Sequence, residues 1–203
     1  MINNYFFIKR LIDLIMSIIG LITLSPFFLL IPILLFLSGC KNPFFIQKRS
    51  GLNGKSINVI KFKTMSDKKD KNGKILPDVD RITKLGNFLR NTSLDEIPQF
   101  INILKNDMSL IGPRPLYLDY IPLYSEFQKR RLEIKPGITG WAQINGRNAI
   151  SWNQKFKFDV WYVDNVSFFL DIKIIFLTII KIVFRSNISS NNHVTMSKFT
   201  GNN

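Results

Sequence analysis

The sequence predicts a mainly α-helical fold with one small β-hairpin, preceded by a membrane helix that enters and leaves the bilayer on the same face. Residues 14–37 are uncharged and mostly apolar, and the dipeptide Ser25-Pro26 interrupts them. A short β-prone segment with a turn signal follows, and helical periodicity dominates the remainder. We expect a membrane helix over residues 1–40, a compact domain over residues 41–185 and a polar tail over residues 186–203.

The apolar segment is long enough to cross a bilayer as one straight helix, at roughly 36 Å against a hydrocarbon core of about 30 Å. Pro26 removes a backbone hydrogen bond, and the hydroxyls of Thr23 and Ser25 are the expected partners of the freed carbonyl. Lys9 and Arg10 precede the segment and further lysines follow it. A re-entrant helix broken at Ser25-Pro26 keeps both cationic flanks on the cytoplasmic face. A straight signal anchor and a buried core helix remain as alternatives.

The net charge of +14 indicates an anionic partner. Lipid headgroups contribute about 1 kcal/mol per cation near a membrane surface, and phosphorylated substrates are also attracted. The sequence lacks zinc-ligand spacing, basic-region heptads and RNA-binding aromatic signatures, which argues against nucleic acid as a partner. Cys40 and His193 are the single cysteine and histidine. An intramolecular disulfide is therefore excluded, and chemistry that depends on histidine is disfavoured.

The domain begins with a predicted β-hairpin over residues 43–65, in which Gly51 to Gly54 supply the turn. Residues 66–80 form a charged loop. Within this loop, Asp78 and Asp80 imitate the Asp-x-Asp metal signature of many nucleotide-sugar glycosyltransferases.

Three helical segments are predicted after this loop. The first covers residues 82–108 and is interrupted near Pro98. The second is an amphipathic helix over residues 117–133. The third, over residues 172–184, is apolar with one polar stripe, and it lies either flat in the membrane interface or packed in the core. The final eighteen residues are expected to be a loose tail.

An adjacent pair of carboxylates, Asp95 and Glu96, is the strongest candidate for chemistry. The spacing of Ser93 and Glu96 is that of a capping box, which is a purely structural explanation. With Asp95 as the N-cap instead, Pro98 falls in the first turn, where proline is tolerated. In both versions the pair lies at a helix N-terminus, which favours ionised carboxylates and attracts phosphate. Arg90 lies five residues upstream of Asp95, within reach of the same site.

Neighbouring side chains on a helix point about 100° apart, so the two carboxylates are expected to have different roles. One is suited to attack phosphorus, while the other holds Mg²⁺ or handles a proton. Mg²⁺ binds one or two carboxylates together with substrate phosphates in many enzymes.

Two later loops rich in glycine and proline carry Arg114 and Arg147. An arginine in a rigid loop is suited to bind a nucleotide or phosphate, or else it hydrogen bonds to loop carbonyls. Asp159 and Asp171 are secondary candidates, for which a structural ion pair is the alternative.

Five blocks of sequence occur in a recognisable order. They are Lys9-Arg10 before the Ser25-Pro26 helix, KFKTM at 61–65, SLDEIPQ at 93–99, DMSLIGPRP at 107–115 and KPGITGW at 135–141. Together they resemble the bacterial sugar transferase family, whose members are monotopic phosphoglycosyl transferases. The resemblance runs from about Lys9 to Arg185, and residues 148–152 and 198–203 are most similar to the small members.

The resemblance implies a reaction in which a UDP-sugar gives its sugar 1-phosphate to undecaprenyl phosphate and UMP is released. It implies that Asp95 is the nucleophile, forming a covalent phosphosugar intermediate, and is also a ligand of Mg²⁺. Glu96 would assist with the metal or a proton. Four basic residues are expected to bind substrate phosphates or the nucleotide: Lys61, Arg90, Arg114 and Arg147.

The same resemblance implies where the protein works. It places the re-entrant helix in the bacterial inner membrane, in contact with membrane lipids, and the catalytic domain of residues 41–185 on the cytoplasmic face. Likeness to the small members favours an N-acetylated UDP-sugar such as UDP-N,N′-diacetylbacillosamine. The product would pass to glycosyltransferases of a glycoconjugate pathway, such as protein glycosylation.

Two other classes of protein remain open on the residues alone. An inverting glycosyltransferase that uses Asp78 and Asp80 would release UDP and would survive Asp95→Asn. A non-catalytic basic module would bind liposomes without turnover. The resemblance favours the phosphoglycosyl transferase over both.

Overall fold

A sharp bend separates two N-terminal helices in the computed structural model, which describes residues 2–146, 149–184 and 197–201. Helix α1 covers Ile2–Thr23 and α2 covers Ser25–Leu37, and the two are bent by 58°. The Ser25 hydroxyl donates to the carbonyl oxygen of Ile22 at 2.8 Å. This is the carbonyl that Pro26 leaves without its helical partner. The predicted break is confirmed, and so is its compensation by Ser25. The other predicted partner, Thr23, instead donates to the carbonyl oxygens of Ile19 and Gly20.

In the part of the chain that the structure describes, no single helix is long and apolar enough to cross a membrane. The bent pair of α1 and α2 passes that test only when both helices are counted together. Their outer faces are apolar and exposed, with Phe7, Ile22, Leu29 and Phe36 each at least 67% accessible.

The inner face of α1 is attached to the domain by both charge and close packing. Lys9 is buried and lies 2.5 Å from a carboxylate oxygen of Asp171. Arg10 donates to the carbonyl oxygens of Ile103 and Leu104. A Cβ at Gly20 would lie 2.9 Å from the ring of Phe100, so glycine allows the close approach of that ring.

The predicted hairpin is present. Strand β1 covers Phe44–Ser50 and pairs antiparallel with β2, Ser56–Phe62. A 3₁₀ turn at Leu52–Gly54 joins them. The ring of Phe62 contacts those of Phe44 and, from α2, Phe28 at centroid distances of 5.5 and 5.7 Å, so the hairpin packs on α2.

Residues 82–108 form two helices rather than one interrupted helix. After the single turn α3 (Asp78–Arg81) come α4 (Lys84–Asn91), a 3₁₀ turn (Leu94–Glu96) and α5 (Gln99–Leu104). The main break lies at Ser93, whose φ of 57° is left-handed, upstream of the predicted break at Pro98. Pro98 instead occupies the N-cap of α5.

A two-stranded parallel sheet brings the two glycine-rich loops together, a pairing that the sequence does not predict. Strand β3 covers Ser109–Ile111 and pairs with β4, Gly137–Thr139. A Cβ at Gly112 would lie 2.3 Å from the carbonyl oxygen of Lys135. Glycine is therefore required here because two backbones touch.

The prediction of one amphipathic helix over residues 117–133 is wrong. The segment contains a 3₁₀ turn (Leu118–Leu123), a single α-helical turn α6 (Glu126–Lys129) and a second 3₁₀ turn (Arg130–Leu132). Pro122 lies inside the first turn, and Ser125 forms a capping box with Gln128 that starts a new helix. The proline and the capping box therefore divide the segment into short turns, although its apolar periodicity is that of one helix.

The last helices are α7 (Trp141–Ile144), α8 (Trp152–Asn165) and α9 (Phe168–Val183). In α9, Ile174 is fully buried while Phe169 and Phe176 are 82% and 63% exposed. The helix thus packs on the domain along one face and presents an apolar surface on the other, so it combines features of both predicted placements.

The C-terminal residues that the structure describes, 197–201, are docked on the domain. Phe199 is only 3% exposed and packs in a core cluster with Tyr120, Tyr124, Trp152 and Phe156. The expectation of a loose tail is therefore wrong for this segment, because its one aromatic side chain gains enough burial to order it. The rest of the predicted tail lies outside the described residues.

Candidate active site

The two candidate carboxylates lie together in the 3₁₀ turn between α4 and α5. Asp95 is 8% exposed and Glu96 is 9% exposed. Neither predicted cap is formed: Ser93 precedes the turn without a side-chain cap bond, and α5 begins only at Gln99. The capping explanation therefore does not account for the pair. Next to it, Ile97 packs in a buried cluster that includes Ile31 from α2, so the turn rests on the bent helix pair.

Glu96 is held by two cations that converge on one of its oxygens. Lys61 Nζ lies 2.6 Å and Arg114 Nη2 lies 2.8 Å from Glu96 Oε1. Burial opposes ionisation of Glu96, but Arg114 and Lys61 outweigh it and hold the pKa of the carboxyl well below its usual value. The ionised form of Glu96 is therefore favoured at neutral pH.

Asp95 is in the opposite situation. No described residue donates a hydrogen bond to its carboxylate. Burial, followed by the charge of Glu96, raises the pKa of Asp95 to about 6, although Lys61, Arg114 and Arg90 pull it down. The pair therefore consists of one carboxylate fixed by cations and one that accepts no hydrogen bond within the described part of the chain. Enzymes commonly separate the properties of two carboxylates in this way.

Arg90 lies beside the pair, as predicted, and is oriented by an unpredicted residue. Its Nε donates to Thr64 Oγ1 at 2.9 Å, and its charge lowers the pKa of Asp95. Arg114 keeps 38% of its side chain accessible, although one nitrogen contacts Glu96. Lys61, Arg90 and Arg114 thus surround the carboxylates, forming a cationic site that is suited to substrate phosphates.

The remaining candidates do not join this cluster. Asp159 forms a buried ion pair with Arg131, and Asp171 forms one with Lys9, so for both the structural alternative describes what is observed. Asp78 pairs with Arg81 at 3.7 Å in α3. Arg147 lies outside the described residues.

The carboxylates fit a magnesium ion only together with a substrate. Among the described residues, no group of three or more histidine, cysteine, aspartate or glutamate side chains is arranged to hold a metal. Asp95 and the Oε2 atom of Glu96 accept no hydrogen bond from a described residue. One or two free carboxylates completed by substrate phosphate oxygens and water is a usual magnesium donor set.

Besides Thr64, sequence reasoning missed a second supporting residue, Arg131. Its side chain is 1% exposed, its Nη2 donates to the backbone oxygen of Arg114 at 2.6 Å, and it pairs with Asp159 at 2.9 Å. The only sequence signal was a run of three basic residues, a pattern typical of a solvated surface. Its burial depends on tertiary contacts with α8.

Comparisons with known proteins identify the class of this protein. The family model described as bacterial sugar transferase matches residues 4–185. The uncharacterised sugar transferase EpsL of Bacillus subtilis (strain 168) is 54% identical over 194 residues, which cover 96% of each chain. The exopolysaccharide production protein ExoY of Sinorhizobium fredii is 37% identical, covering 84% of this chain and 83% of that protein.

A longer relative has a named reaction. The UDP-glucose:undecaprenyl-phosphate glucose-1-phosphate transferase of Escherichia coli (strain K12) is 40% identical over 186 residues, which cover 86% of this chain and 40% of that protein. The chain belongs to the bacterial sugar transferase family and is a phosphoglycosyl transferase. The family assignment confirms the predicted resemblance. It favours a phosphoglycosyl transferase over the inverting glycosyltransferase and over the non-catalytic membrane-binding module.

Proposed function

We propose that this enzyme transfers a sugar 1-phosphate from a UDP-sugar to undecaprenyl phosphate and releases UMP, with Asp95 as the nucleophile. The observation that supports the proposal is the difference within the carboxylate pair. Asp95 accepts no hydrogen bond from the described residues, while two cations fix Glu96 beside it. A carboxylate that is free of donors keeps its lone pairs available for attack.

The reaction proceeds in two displacements at one phosphorus atom. An oxygen of Asp95 attacks the β-phosphorus of the UDP-sugar, the bond to the bridging oxygen breaks, and UMP leaves with that oxygen. An oxygen of undecaprenyl phosphate then attacks the same phosphorus and expels the Asp95 carboxylate. Arg114 and Arg90 bind the phosphate oxygens in both steps, while Lys61 keeps Glu96 ionised and in place.

Mg²⁺ belongs to the proposal as the cofactor. Asp95, with Oε2 of Glu96 beside it, would hold the ion together with substrate phosphate oxygens. When bound, the ion neutralises charge on the transferred phosphoryl group. We expect EDTA to abolish UMP release and added Mg²⁺ to restore it.

The position of the site suits a soluble donor and a lipid acceptor. The turn with Asp95 packs against α2, whose outer face is apolar and exposed. If α1 and α2 enter the inner membrane and return to the same face, the lipid phosphate reaches the carboxylate at the membrane surface while the UDP-sugar arrives from the cytoplasm. The apolar faces of α2 and α9 would then both contact lipid.

Topology is tested by labelling in intact cells. Single cysteines at positions 2 and 203, in a Cys40→Ser background, should both resist a membrane-impermeant thiol reagent added outside. Labelling of only the C-terminal position would contradict the re-entrant arrangement. Pro26→Ala should shift the helix pair towards spanning, because it restores the hydrogen-bonding capacity that proline lacks.

The test of the reaction is nucleotide release by purified protein in detergent with Mg²⁺. A panel of UDP-sugars is assayed with and without undecaprenyl phosphate, and it includes UDP-N,N′-diacetylbacillosamine, the proposed N-acetylated donor, and UDP-glucose, the donor in the name of the Escherichia coli relative. We expect UMP release that requires the lipid acceptor and is lost in Asp95→Asn. Without acceptor, the mass of the intact protein should increase by one sugar phosphate.

Asp78→Asn is the matched control, because Asp78 lies outside the carboxylate pair and is bound to Arg81. This variant should release UMP at the wild-type rate. Release of UDP instead of UMP, or UMP release that persists in Asp95→Asn, would contradict the proposal.

A further inference from the structure

The C-terminal residues that the structure describes fill an aromatic box on the domain surface. The ring of Phe199 lies 5.0–5.9 Å from four ring centroids, those of Tyr120, Tyr124, Trp152 and Phe156. The backbone is fixed as well, because Trp152 Nε1 donates to the carbonyl oxygen of Ser197 at 3.1 Å.

Two walls of this box support Arg131. Its guanidinium carbon lies 6.0 Å from the ring centroid of Tyr124 and 5.8 Å from that of Phe156. The same guanidinium is fixed by Asp159, which accepts from Nε at 3.0 Å and from Nη2 at 2.9 Å. Arg131 therefore lies between the aromatic box and a buried carboxylate.

Arg131 in turn holds the loop that carries a site cation. Its Nη2 donates to the backbone oxygen of Arg114 at 2.6 Å, and the Arg114 side chain reaches Glu96 at 2.8 Å. A continuous series of contacts runs from Phe199 through Tyr124 and Phe156 to Arg131 and Arg114. Close-packed interiors transmit displacements along such contacts.

We propose that residues 197–201 are a positioning element for Arg114, acting through Arg131. The proposal rests on the proposed function only in taking Arg114 to bind a phosphate of the UDP-sugar. Phe199 packs on the four rings of the aromatic box and would act on the site through them, so it is a positioning residue. Its removal leaves a cavity next to the two rings that support Arg131, and the phosphate-binding guanidinium loses its fixed orientation.

The first experiment measures the affinity of the detergent-purified full chain for UDP by calorimetry, together with KM and kcat for UMP release. Phe199→Ala should weaken UDP binding and raise KM by about tenfold or more, because small misplacements of binding groups have effects of this size. Phe127→Ala is the matched control, since that phenylalanine on α6 is 47% exposed. It should leave UDP affinity, KM and kcat unchanged.

A double-mutant cycle separates positioning from a general loss of structure. In an Arg114→Ala background, Phe199→Ala should change UDP affinity by less than about twofold, since the group that it positions is absent. An undiminished effect in that background would overturn the proposal. So would wild-type UDP affinity in a folded Phe199→Ala protein.

A second variant of the full chain, Phe199→Leu, covers the case in which Phe199→Ala is poorly folded. Leucine fills part of the space of the ring, so UDP affinity should be reduced, but by less than about tenfold. Wild-type UDP affinity in Phe199→Leu would overturn the proposal. UDP binding is measured without turnover, so a wild-type protein that binds UDP but releases no UMP would count against the proposed reaction alone.

Discussion

Two buried clusters of charge in this protein differ in one respect, the completeness of their hydrogen bonding. At the junction of α1 and α9, the Asp171 carboxylate accepts from Lys9 at 2.5 Å and from the hydroxyls of Tyr5 and Tyr162 at 2.6 Å each. At the turn between α4 and α5, two cations contact the Oε1 atom of Glu96. Asp95 beside it receives no hydrogen bond from the described residues.

Under the proposed function, this difference would let the same chemical groups serve stability in one place and reactivity in the other. A buried carboxylate with all its partners holds two helices together and has little capacity to react. A buried carboxylate without donors costs folding free energy and stays available to a substrate. Three substitutions and one pH series test this contrast, and they are ordered here from the largest expected effect to the smallest.

Asp95→Asn should reduce UMP release by more than about 10³-fold, because the amide cannot act as the nucleophile. The fold should be retained, since no hydrogen bond in the described structure depends on the Asp95 carboxylate. Rates measured under saturating donor and acceptor, with circular dichroism alongside, check both statements. If Asp95→Asn is inactive because it has unfolded, then Asp95 is needed for stability, and the proposed difference between the two clusters is wrong.

Asp171→Asn should destabilise the protein by about 3–5 kcal/mol, because it leaves the buried Lys9 without a counter-ion. Thermal unfolding in detergent measures this loss, and the folded fraction should retain UMP release. Asp164→Asn is the matched control, since Asp164 pairs with Arg130 on the exposed surface, and it should unfold close to the wild-type temperature. Equal unfolding temperatures for the two variants would show that the α1–α9 cluster is not structurally important.

Glu96→Gln should reduce UMP release by about 10²-fold, which is smaller than the effect of losing the nucleophile. The substitution removes the anion that fixes Lys61 and Arg114 without removing Asp95. The pH profile should shift at the same time. Since the charge of Glu96 contributes to raising the pKa of Asp95, its loss should move the acidic limb of the profile to lower pH. An unchanged limb would mean that the two carboxylates are not coupled.

The pH dependence of stability gives the smallest and most specific test. The folded-state pKa of Asp95 is raised to about 6, so the folded protein binds a proton more readily than the unfolded chain between about pH 4 and 6. The contribution of Asp95 to the free energy of unfolding is therefore most favourable at low pH, and it is lost as pH rises through 6. Asp95→Asn should stabilise the protein at pH 8 by on the order of 2 kcal/mol and have little effect at pH 4.

The pH dependence of activity should have the opposite sign to that of stability. Activity should increase as pH rises, because attack requires the ionised carboxylate of Asp95. UMP release by the wild type should fall as pH decreases below about 6. Unfolding temperatures of wild type and Asp95→Asn at both pH values, compared with the rate profile, check the two signs together. A variant that is less stable than wild type at pH 8 would contradict the unsatisfied state of Asp95.

Local signals made part of this structure predictable. The hairpin follows from β-prone runs on both sides of Gly51 to Gly54, and the break between α1 and α2 follows from the effect of Pro26 on one hydrogen bond. Asp95 and Glu96 were singled out as an adjacent carboxylate pair at a predicted helix N-terminus close to Pro98. Each of these features depends on residues that are close in the sequence.

Features that depend on distant residues were missed. The parallel pairing of β3 with β4 joins two three-residue strands, too short to give a periodic signal, and it is specified by backbone contact at Gly112. Capping predicted a helix start at Ser93 or Asp95, but burial of Ile97 against α2 stabilises a 3₁₀ turn there. The buried position of Arg131 depends on Asp159, 28 residues later, and no local pattern reports such a pairing.

Gly20 fixes the position of the carboxylate site relative to the bend between α1 and α2. It allows the Phe100 ring of α5 to rest directly on α1, within one turn of the bend, so the carboxylates keep a fixed height above the point where the helix pair turns. In the proposed re-entrant arrangement, that height becomes a distance from the plane of the lipid headgroups. Prenyl phosphates of different chain length present their phosphate at the same plane. If the arrangement holds, we expect the affinity for the acceptor to depend on its phosphate headgroup and very little on the length of its hydrocarbon tail.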